Sequence, residues 1–422
     1  MEIYLHVPYC RQKCRYCDFA SFPHAESTQR AYVDAVLSEA ASQAAKIPHG
    51  AMETAYLGGG TPSILPPELL TRLLEGVAAH FPLAPGAEFT SEANPGTLTH
   101  EWLDAALNCG INRLSMGMQA AQPALLKMLG RIHDFTQVQQ SVELARHAGF
   151  QHISLDLMFG LPGQTVSMWR ETLEKALSLN PEHLSCYGLI PEEGTPLYRD
   201  LQTGQLTLPD EDDERRMYDL TLDLLAQSGF QQYEISNFAR PGCECRHNIG
   251  YWQQVPYIGL GVSAASYLPA ENGMIRLTNP RTLPAYLRMV QSQDDSLREQ
   301  EFISKTDGRF ETLMLGLRMN CGISESEFQE RHGVSLDALY GEKLRKFEHE
   351  GLLQHKTDRW SLTRRGMDEV DDDARLLARV AARDAAHALL VDALRRGRRK
   401  VHADGRARRV PALREQLRVH QH

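Results

Sequence analysis

At 422 residues the chain exceeds what one hydrophobic core usually supports, so one large domain and a smaller one are expected. Hydrophobic residues at 42% and charged residues at 23% are ordinary for a globular protein, and no run of about eighteen apolar residues offers a membrane span. A formal net charge of -9 gives no global attraction to nucleic acid, and eight cysteines are too few for a disulfide scaffold in a chain this long.

From the amino end, Ile3-Tyr4-Leu5-His6-Val7 reads as a short strand rather than the apolar region of a secretory signal, which points to the cytoplasm. Cys10, Cys14 and Cys17 follow it directly. Further strand-like runs occupy 54–57, 88–93, 112–117, 152–158 and 183–189, and between them 137–148 and 167–179 place apolar residues three and four apart, as crossover helices do. Gly149 and Asn180-Pro181 supply stops. Six such βα units are two short of a closed eightfold barrel. The fold class is therefore α/β, a partial (β/α)6 barrel over 1–296 with function at the carboxyl ends of its strands. The three cysteines, Gly58-Gly59-Gly60-Thr61, Glu92, Gln119 and Asp156 all fall on or near that rim.

Pro209 followed by four acidic residues at 210–213 predicts a helix start rather than a binding patch, with the helix running to about 227. After about 296 the βα rhythm ends. Ser324-Glu325-Ser326-Glu327 offers a capping box, and a helix over 337–350, a stop at Gly351 and a hairpin around 356–360 suggest a small winged-helix-like α+β domain over 297–370. Residues 299–370 carry 11 Lys or Arg against 14 Asp or Glu, which favours a structural or lid role over DNA binding. The stretch 371–422 reads as helical, then basic and poorly ordered, with ten Lys or Arg and two acids over 395–422.

Cys10-x3-Cys14-x2-Cys17 puts three soft ligands on one loop, which suits an iron-sulfur cluster, or a zinc ion completed by Cys243, Cys245 or His247. Three thiolates for four irons leave one iron open to an exchangeable ligand. The spacing, with Tyr16 just before the last cysteine, resembles the hallmark of the radical S-adenosylmethionine (SAM) superfamily. That resemblance implies a 4Fe-4S cluster on the three cysteines, SAM on the open iron, and reductive cleavage of SAM to a deoxyadenosyl radical as the cofactor's own chemistry.

Within the superfamily, residues 3–10, Gly58 to Pro62 and Asp156-Leu157-Met158-Phe159-Gly160-Leu161-Pro162-Gly163-Gln164 resemble the oxygen-independent coproporphyrinogen III oxidase group, from residue 3 to about 370. The resemblance implies SAM contacts at Tyr4, Gly60, Thr61, Glu92, Gln119, Arg131, Asp156, Gly188 and Ala265. Glycines admit close backbone approach, Glu92 and Asp156 can accept from an ammonium or ribose hydroxyls, and Arg131 can pair with a carboxylate.

The decarboxylating enzymes of that group carry a fourth cysteine two positions after the third and a long extension before the cluster. Here Phe19 holds that position and nine residues precede Cys10. Tyr233-Glu234-Ile235-Ser236-Asn237-Phe238-Ala239 and Cys245-Arg246-His247-Asn248-Ile249-Gly250-Tyr251-Trp252 instead resemble the haem-chaperone branch, the HemW family. This implies haem binding by His247, Asn248 and Tyr251, with a hydrogen-bonding role for His247 as the other option. It also implies haem transfer to haem-requiring acceptor proteins such as respiratory enzymes, through which any membrane contact would come. No nucleic-acid partner is expected. The alternative is a radical decarboxylase of the coproporphyrinogen dehydrogenase type. An RNA- or protein-modifying radical enzyme would need basic or peptide-reading features that the chain does not display.

Overall fold

The structure, a computed structural model, describes residues 1–23 and 26–371. The basic stretch 395–422 and the rest of the expected tail after Asp371 lie outside the described residues.

The chain alternates strands and helices from the start: β1 (Glu2–Val7), α1 (Glu26–Lys46), β2 (Met52–Gly59), α2 (Pro67–Ala78), β3 (Leu83–Ala93), α3 (His100–Asn108), β4 (Arg113–Gln119), α4 (Pro123–Leu129), α5 (Phe135–Ala148), β5 (His152–Phe159), α6 (Val166–Ser178), β6 (His183–Gly188), α7 (Pro196–Gln202) and α8 (Glu211–Gln227). The six strands pair in sequence order and all run parallel, so their carboxyl ends share one rim. Helices cover the outer face. α2 buries Leu69, Leu70, Leu73, Leu74 and Val77, and α6 buries Trp169, Thr172, Leu173 and Ala176, which is one helical stripe each. With helices outside and side chains filling the inside, β4 is buried at every position.

Local signals set the helix ends. Asp134 and Gln137 form a reciprocal capping box at the start of α5, and Gly149 ends it at φ 116°. Asp210 accepts from the Asp213 amide and caps α8, so the acidic run is a helix start as expected. β3 begins earlier than the 88–93 run because Leu83 pairs with Met52 across a register shift, which absorbs Pro85-Gly86 inside a strand.

No further strand of the barrel domain is expected from the sequence after the sixth, yet the sheet extends past both sides of the barrel. β7 (Gln231–Glu234) pairs antiparallel with β8 (Asn237–Ala239), which in turn pairs antiparallel with β6. After α9 (Arg246–Trp252), β9 (Tyr257–Leu260) lies parallel to β1, and β10 (Ala265–Ala270), β11 (Gly273–Thr278) and, after α10 (Leu283–Ser292), β12 (Glu299–Ser304) follow antiparallel. The expected boundary near 296 therefore falls inside the main sheet, whose last strand runs to Ser304. One buried carboxylate holds this flank to the barrel. Glu39 of α1 accepts from the Gly261 amide (2.9 Å), Asn279 (2.7 Å), the Tyr286 hydroxyl (2.7 Å) and Arg298 (2.8 Å).

The rest is a small α+β unit: α11 (Lys305–Gly316), β13 (Ile323–Ser324), α12 (Glu325–His332), α13 (Leu336–His349), β14 (Leu353–Lys356), β15 (Arg359–Leu362) and α14 (Arg364–Asp371). Its three strands pair in the order β13-β15-β14, a winged-helix-like arrangement. Ser324 caps α12 by accepting from the Glu327 amide, while the Glu327 carboxylate pairs with Arg359 at 2.6 Å rather than closing the expected box. Phe310, Leu313, Phe328, Leu344, Phe347 and Trp360 fill its core, and Ile235 and Trp252 from the barrel side join them.

Because Glu39 is the buried acceptor shared by the Gly261 amide, Asn279, Tyr286 and Arg298, Glu39→Ala leaves several buried donors unsatisfied, although Asp295 still pairs with Arg298, and should cost about 3–5 kcal/mol. Urea unfolding of wild type and variant checks this; a loss under about 1 kcal/mol would mean that the flank does not depend on Glu39.

Candidate active site and barrel floor

Cys10 follows β1 through a two-residue strand, Tyr9–Cys10, that pairs with Phe22–Pro23 and closes the cysteine loop. Tyr16 points down into an apolar cluster with Leu125, Leu126, Leu129, Leu161 and Leu197, which anchors the loop between α4 and α7. Backbone bonds pin it on both sides: the Arg15 amide to Leu129 O and the Leu197 amide to Arg15 O, each 2.9 Å. Cys10 is buried and Cys14 and Cys17 half-buried. Burial pushes the Cys10 thiol up and the Cys17 thiol to about 12, and the nearby Cys14 adds to both. Donors face two sulfurs, from the Thr61 hydroxyl to Cys10 Sγ and from Arg131 Nη1 to Cys14 Sγ, each 3.5 Å.

The loop after β2 lies directly against this one. Gly60 N donates to Val7 O at 2.7 Å and Thr61 N to Tyr9 O at 2.8 Å. A Cβ on Gly60 would stand 2.6 Å from Tyr9 O, so only glycine permits the approach. Inside the rim, Glu92 accepts from the Gly59 amide (3.0 Å) and the Tyr56 hydroxyl (3.2 Å). Burial, with Asp156 repulsion second, raises Glu92 to about 8. Both oxygens of Asp156 accept from Ser115, at 3.0 and 3.1 Å, and burial holds its carboxyl at about 6. Gln119 sits at φ 64° on a register shift at the end of β4, and a Cβ on Gly117 would meet its amide at 2.6 Å and Arg131 at 3.1 Å. Tyr4 lies lower on β1, its hydroxyl 3.0 Å from His6 Nδ1 and its ring stacked on Tyr56. Gly188 ends β6 on the same rim, whereas Ala265 lies on β10, two strands outward from β1. The structure thus gathers eight of the nine expected SAM residues on the barrel strands and their rim and leaves Ala265 on the flank.

The second expected site is elsewhere. His247 lies at the amino ends of the strands, the floor of the barrel, rather than beneath its mouth. Its Nδ1 is 2.7 Å from Thr54 Oγ1 near the start of β2, its Nε2 is 3.1 Å from the Tyr251 hydroxyl, and its ring stacks on Tyr56 at 5.2 Å. Burial lowers the imidazole to about 3, so it is neutral. Both ring nitrogens are engaged in this conformation. Glu88 accepts from the Arg246 and His247 amides, both 3.0 Å, which satisfies the first donors of the short helix α9. Asn248 is half-buried, Tyr251 packs with Tyr257 and Tyr267, and the Arg318 guanidinium sits 4.5 Å from the Trp252 ring. Cys245 donates to Glu88 at 3.3 Å and the Cys243 carbonyl accepts from Arg113, so the zinc alternative loses its distant ligands to the opposite end of the barrel. Among the described residues, no group of three or more His, Cys, Asp or Glu is arranged to hold a single metal ion.

The radical SAM superfamily profile matches residues 4–176, and the HemN C-terminal domain profile matches 303–368. A protein of Lactococcus lactis named "Heme chaperone HemW" is 37% identical over 365 residues, covering 86% of this chain and 94% of that relative. This chain belongs to the HemW family of the radical SAM superfamily. The Escherichia coli protein of the same name is 35% identical over 87% of this chain and 95% of its own length. Coproporphyrinogen III oxidase (HemN) from Escherichia coli, a solved structure, shares the fold at a TM-score of 0.76, with 23% identity over 90% of this chain and 89% of that one.

Superfamily membership implies a 4Fe-4S cluster and SAM, and the residues of this HemW-family chain fit them. Ligands of a four-iron cluster each take a different iron, unlike the donors of one zinc, and here Cys10 and Cys14 face the Thr61 hydroxyl and Arg131 while the Ser21 hydroxyl lies 4.0 Å from Cys17 Sγ, as suits cluster thiolates. Two groups that matter were not legible beforehand. His6, whose Nε2 meets Ala20 O at 3.0 Å, links Tyr4 to the cysteine loop, and Asn94 bridges Thr61 and Arg131. Asn94 sits in Asn94-Pro95-Gly96, which reads only as a turn.

Glu92 also predicts a pH dependence. A carboxyl raised from 4.5 to about 8 contributes stability that is full below 4.5 and lost as pH rises through about 8. Glu92→Gln should therefore lose less stability between about pH 5 and pH 8 than wild type, measured as urea midpoints of apoprotein. Parallel pH curves for the two proteins would show that Glu92 titrates normally.

Proposed function

We propose that this chain is a haem chaperone, binding haem and passing it to haem-requiring acceptors, on a scaffold organised by a 4Fe-4S cluster and SAM. The observation that carries this is the match to relatives named haem chaperone over nearly their whole length. Cys10, Cys14 and Cys17 are the cluster ligands. Tyr4, Gly60, Thr61, Glu92, Gln119, Arg131, Asp156, Gly188 and Ala265 are the SAM contacts, with the Glu92 and Asp156 oxygens as acceptors and Arg131 as the cation. When bound, the cluster and SAM supply one-electron chemistry at the rim. Residues 1–304 form the barrel unit and 305–371 the appended unit, and the protein works in the cytoplasm. No helix among the described residues is long and apolar enough to cross a membrane.

His247, Asn248 and Tyr251 form the haem element, on physical grounds that the floor geometry supplies. In the tautomer that carries its proton on Nδ1, Thr54 accepts there and the Nε2 lone pair is the one a metal would use, and a neutral imidazole held by a second partner is the usual form of a metal-bound histidine. In that tautomer the Tyr251 hydroxyl donates to Nε2, so haem iron can reach it only after that hydroxyl swings away.

Haem titration of wild type, His247→Ala and Tyr251→Phe tests this. His247→Ala should weaken binding by roughly tenfold or more, about 1.4 kcal/mol, while Tyr251→Phe, which removes the competing donor, should bind as tightly or tighter. Equal affinity for wild type and His247→Ala would move the haem site elsewhere. Carbon dioxide release from coproporphyrinogen III by the reduced, anaerobically reconstituted protein would instead establish the decarboxylase.

A further inference from the structure

Asn94 stands just past β3, and its backbone is held from both sides. Its amide donates to Ser63 Oγ at 3.3 Å, and its carbonyl accepts from the Thr97 amide (3.1 Å) and hydroxyl (2.6 Å). The side chain is thereby aimed between the loops that follow β1, β2 and β4. Oδ1 accepts from Arg131 Nη2 at 2.7 Å, and Nδ2 donates to Thr61 Oγ1 at 2.8 Å. Each of those partners reaches a different cysteine. Arg131 Nη1 donates to Cys14 Sγ and Thr61 Oγ1 to Cys10 Sγ, both at 3.5 Å.

The direction of every bond in this chain follows from one fact: a guanidinium can only donate. Arg131 therefore forces the oxygen of the Asn94 amide to its own side and the NH2 group to the side of Thr61. The Thr61 hydroxyl must accept there, and its single hydrogen is left for the Cys10 sulfur. Arg131 cannot turn away, because Nη2 also donates to Gly117 O at 2.7 Å. An aspartate at 94 would be nearly the same size but would accept on both sides. It would take the hydrogen of Thr61, and Cys10 would lose that donor and keep only Ser21.

We propose that Asn94 is a positioning residue that sets the hydrogen bonding of two cluster thiolates together, and through them the reduction potential of the cluster. This rests on the assignment of Cys10, Cys14 and Cys17 as cluster ligands. Donors to ligand sulfurs stabilise the more negative, reduced cluster and raise its potential. Asn94 touches neither sulfur and acts only through Thr61 and Arg131.

The test is an anaerobic redox titration, followed by electron paramagnetic resonance, of reconstituted full-length wild type, Asn94→Asp, Thr61→Val, Thr61→Ser and the Asn94→Asp/Thr61→Val double variant, with iron content measured for each. Asn94→Asp and Thr61→Val should each shift the midpoint to lower potential, and Thr61→Ser, which keeps the hydroxyl, should restore the wild-type value. In the Asn94→Asp background, Thr61→Val should add little, because the hydrogen it removes no longer reaches sulfur; this cycle separates the lost donor from the added carboxylate charge. Additive shifts, or an unchanged midpoint in a fully iron-loaded Asn94→Asp protein, would overturn the proposal. Should Asn94→Asp take up no iron, Thr61→Val and Thr61→Ser decide it alone, and equal midpoints for those two would overturn it. Failure of wild type to bind iron would instead refute the cluster assignment.

Discussion

Two backbone hydrogen bonds, from Gly60 N to Val7 O and from Thr61 N to Tyr9 O, join the loop after β2 to the loop after β1, and the rim is built outward from them. They exist because β1 and β2 run parallel in a register that carries Val7 opposite Gly59, so both chains leave the sheet at the same height. With no side chain at Gly60, the second loop can lie on the first. Thr61 then faces Cys10, and Asn94, coming off the next strand, reaches Thr61. Remove that contact and the cysteines would still lie on one loop, but the groups that orient their donors would not be within reach.

The rim places carboxylates where solvation is poor. Glu92 and Asp156 face the same interior, each raised by burial, and the repulsion between them adds to the effect on Glu92. Partial compensation comes from neutral donors, the Gly59 amide and the hydroxyls of Tyr56 and Ser115. Such an arrangement costs stability in the apoprotein and leaves unspent acceptor capacity for a cationic or hydroxyl-rich ligand. The glycines at 58, 60 and 117 belong to the same design, since each would put a Cβ under 3 Å from a neighbouring group.

The opposite end of the barrel is closed differently. Glu88 caps α9, whose Trp252 shares a core with the carboxyl-terminal unit, while higher on the sheet edge the buried Glu234 accepts from the Ser236 amide and meets Arg318 at 3.2 Å, so that unit is held by charge as well as by packing. Since α9 carries His247 on one side and Trp252 on the other, a change at the imidazole and a change in the packing of the appended unit bear on the same seven-residue helix. Cys243 and Cys245 belong to this floor, which separates them from the cysteine triad by the length of the strands.

The triad, the six parallel strands, the helix stripes, the stop at Gly149 and the acidic helix start at Asp210 were legible in the amino-acid sequence, because each is written in residues a few positions apart. Strand period, helix period and capping act over one or two turns of chain. Only the tertiary structure decided what the long-range partners are. His247 meets Thr54 across 193 positions, Glu39 meets Arg298 across 259, and the strands β9 to β12 are short or carry no clean alternation, so their place was set by the strands beside them. Buried polar groups take whichever partner the register brings, and register is a property of the assembled sheet, which no local stretch of residues contains.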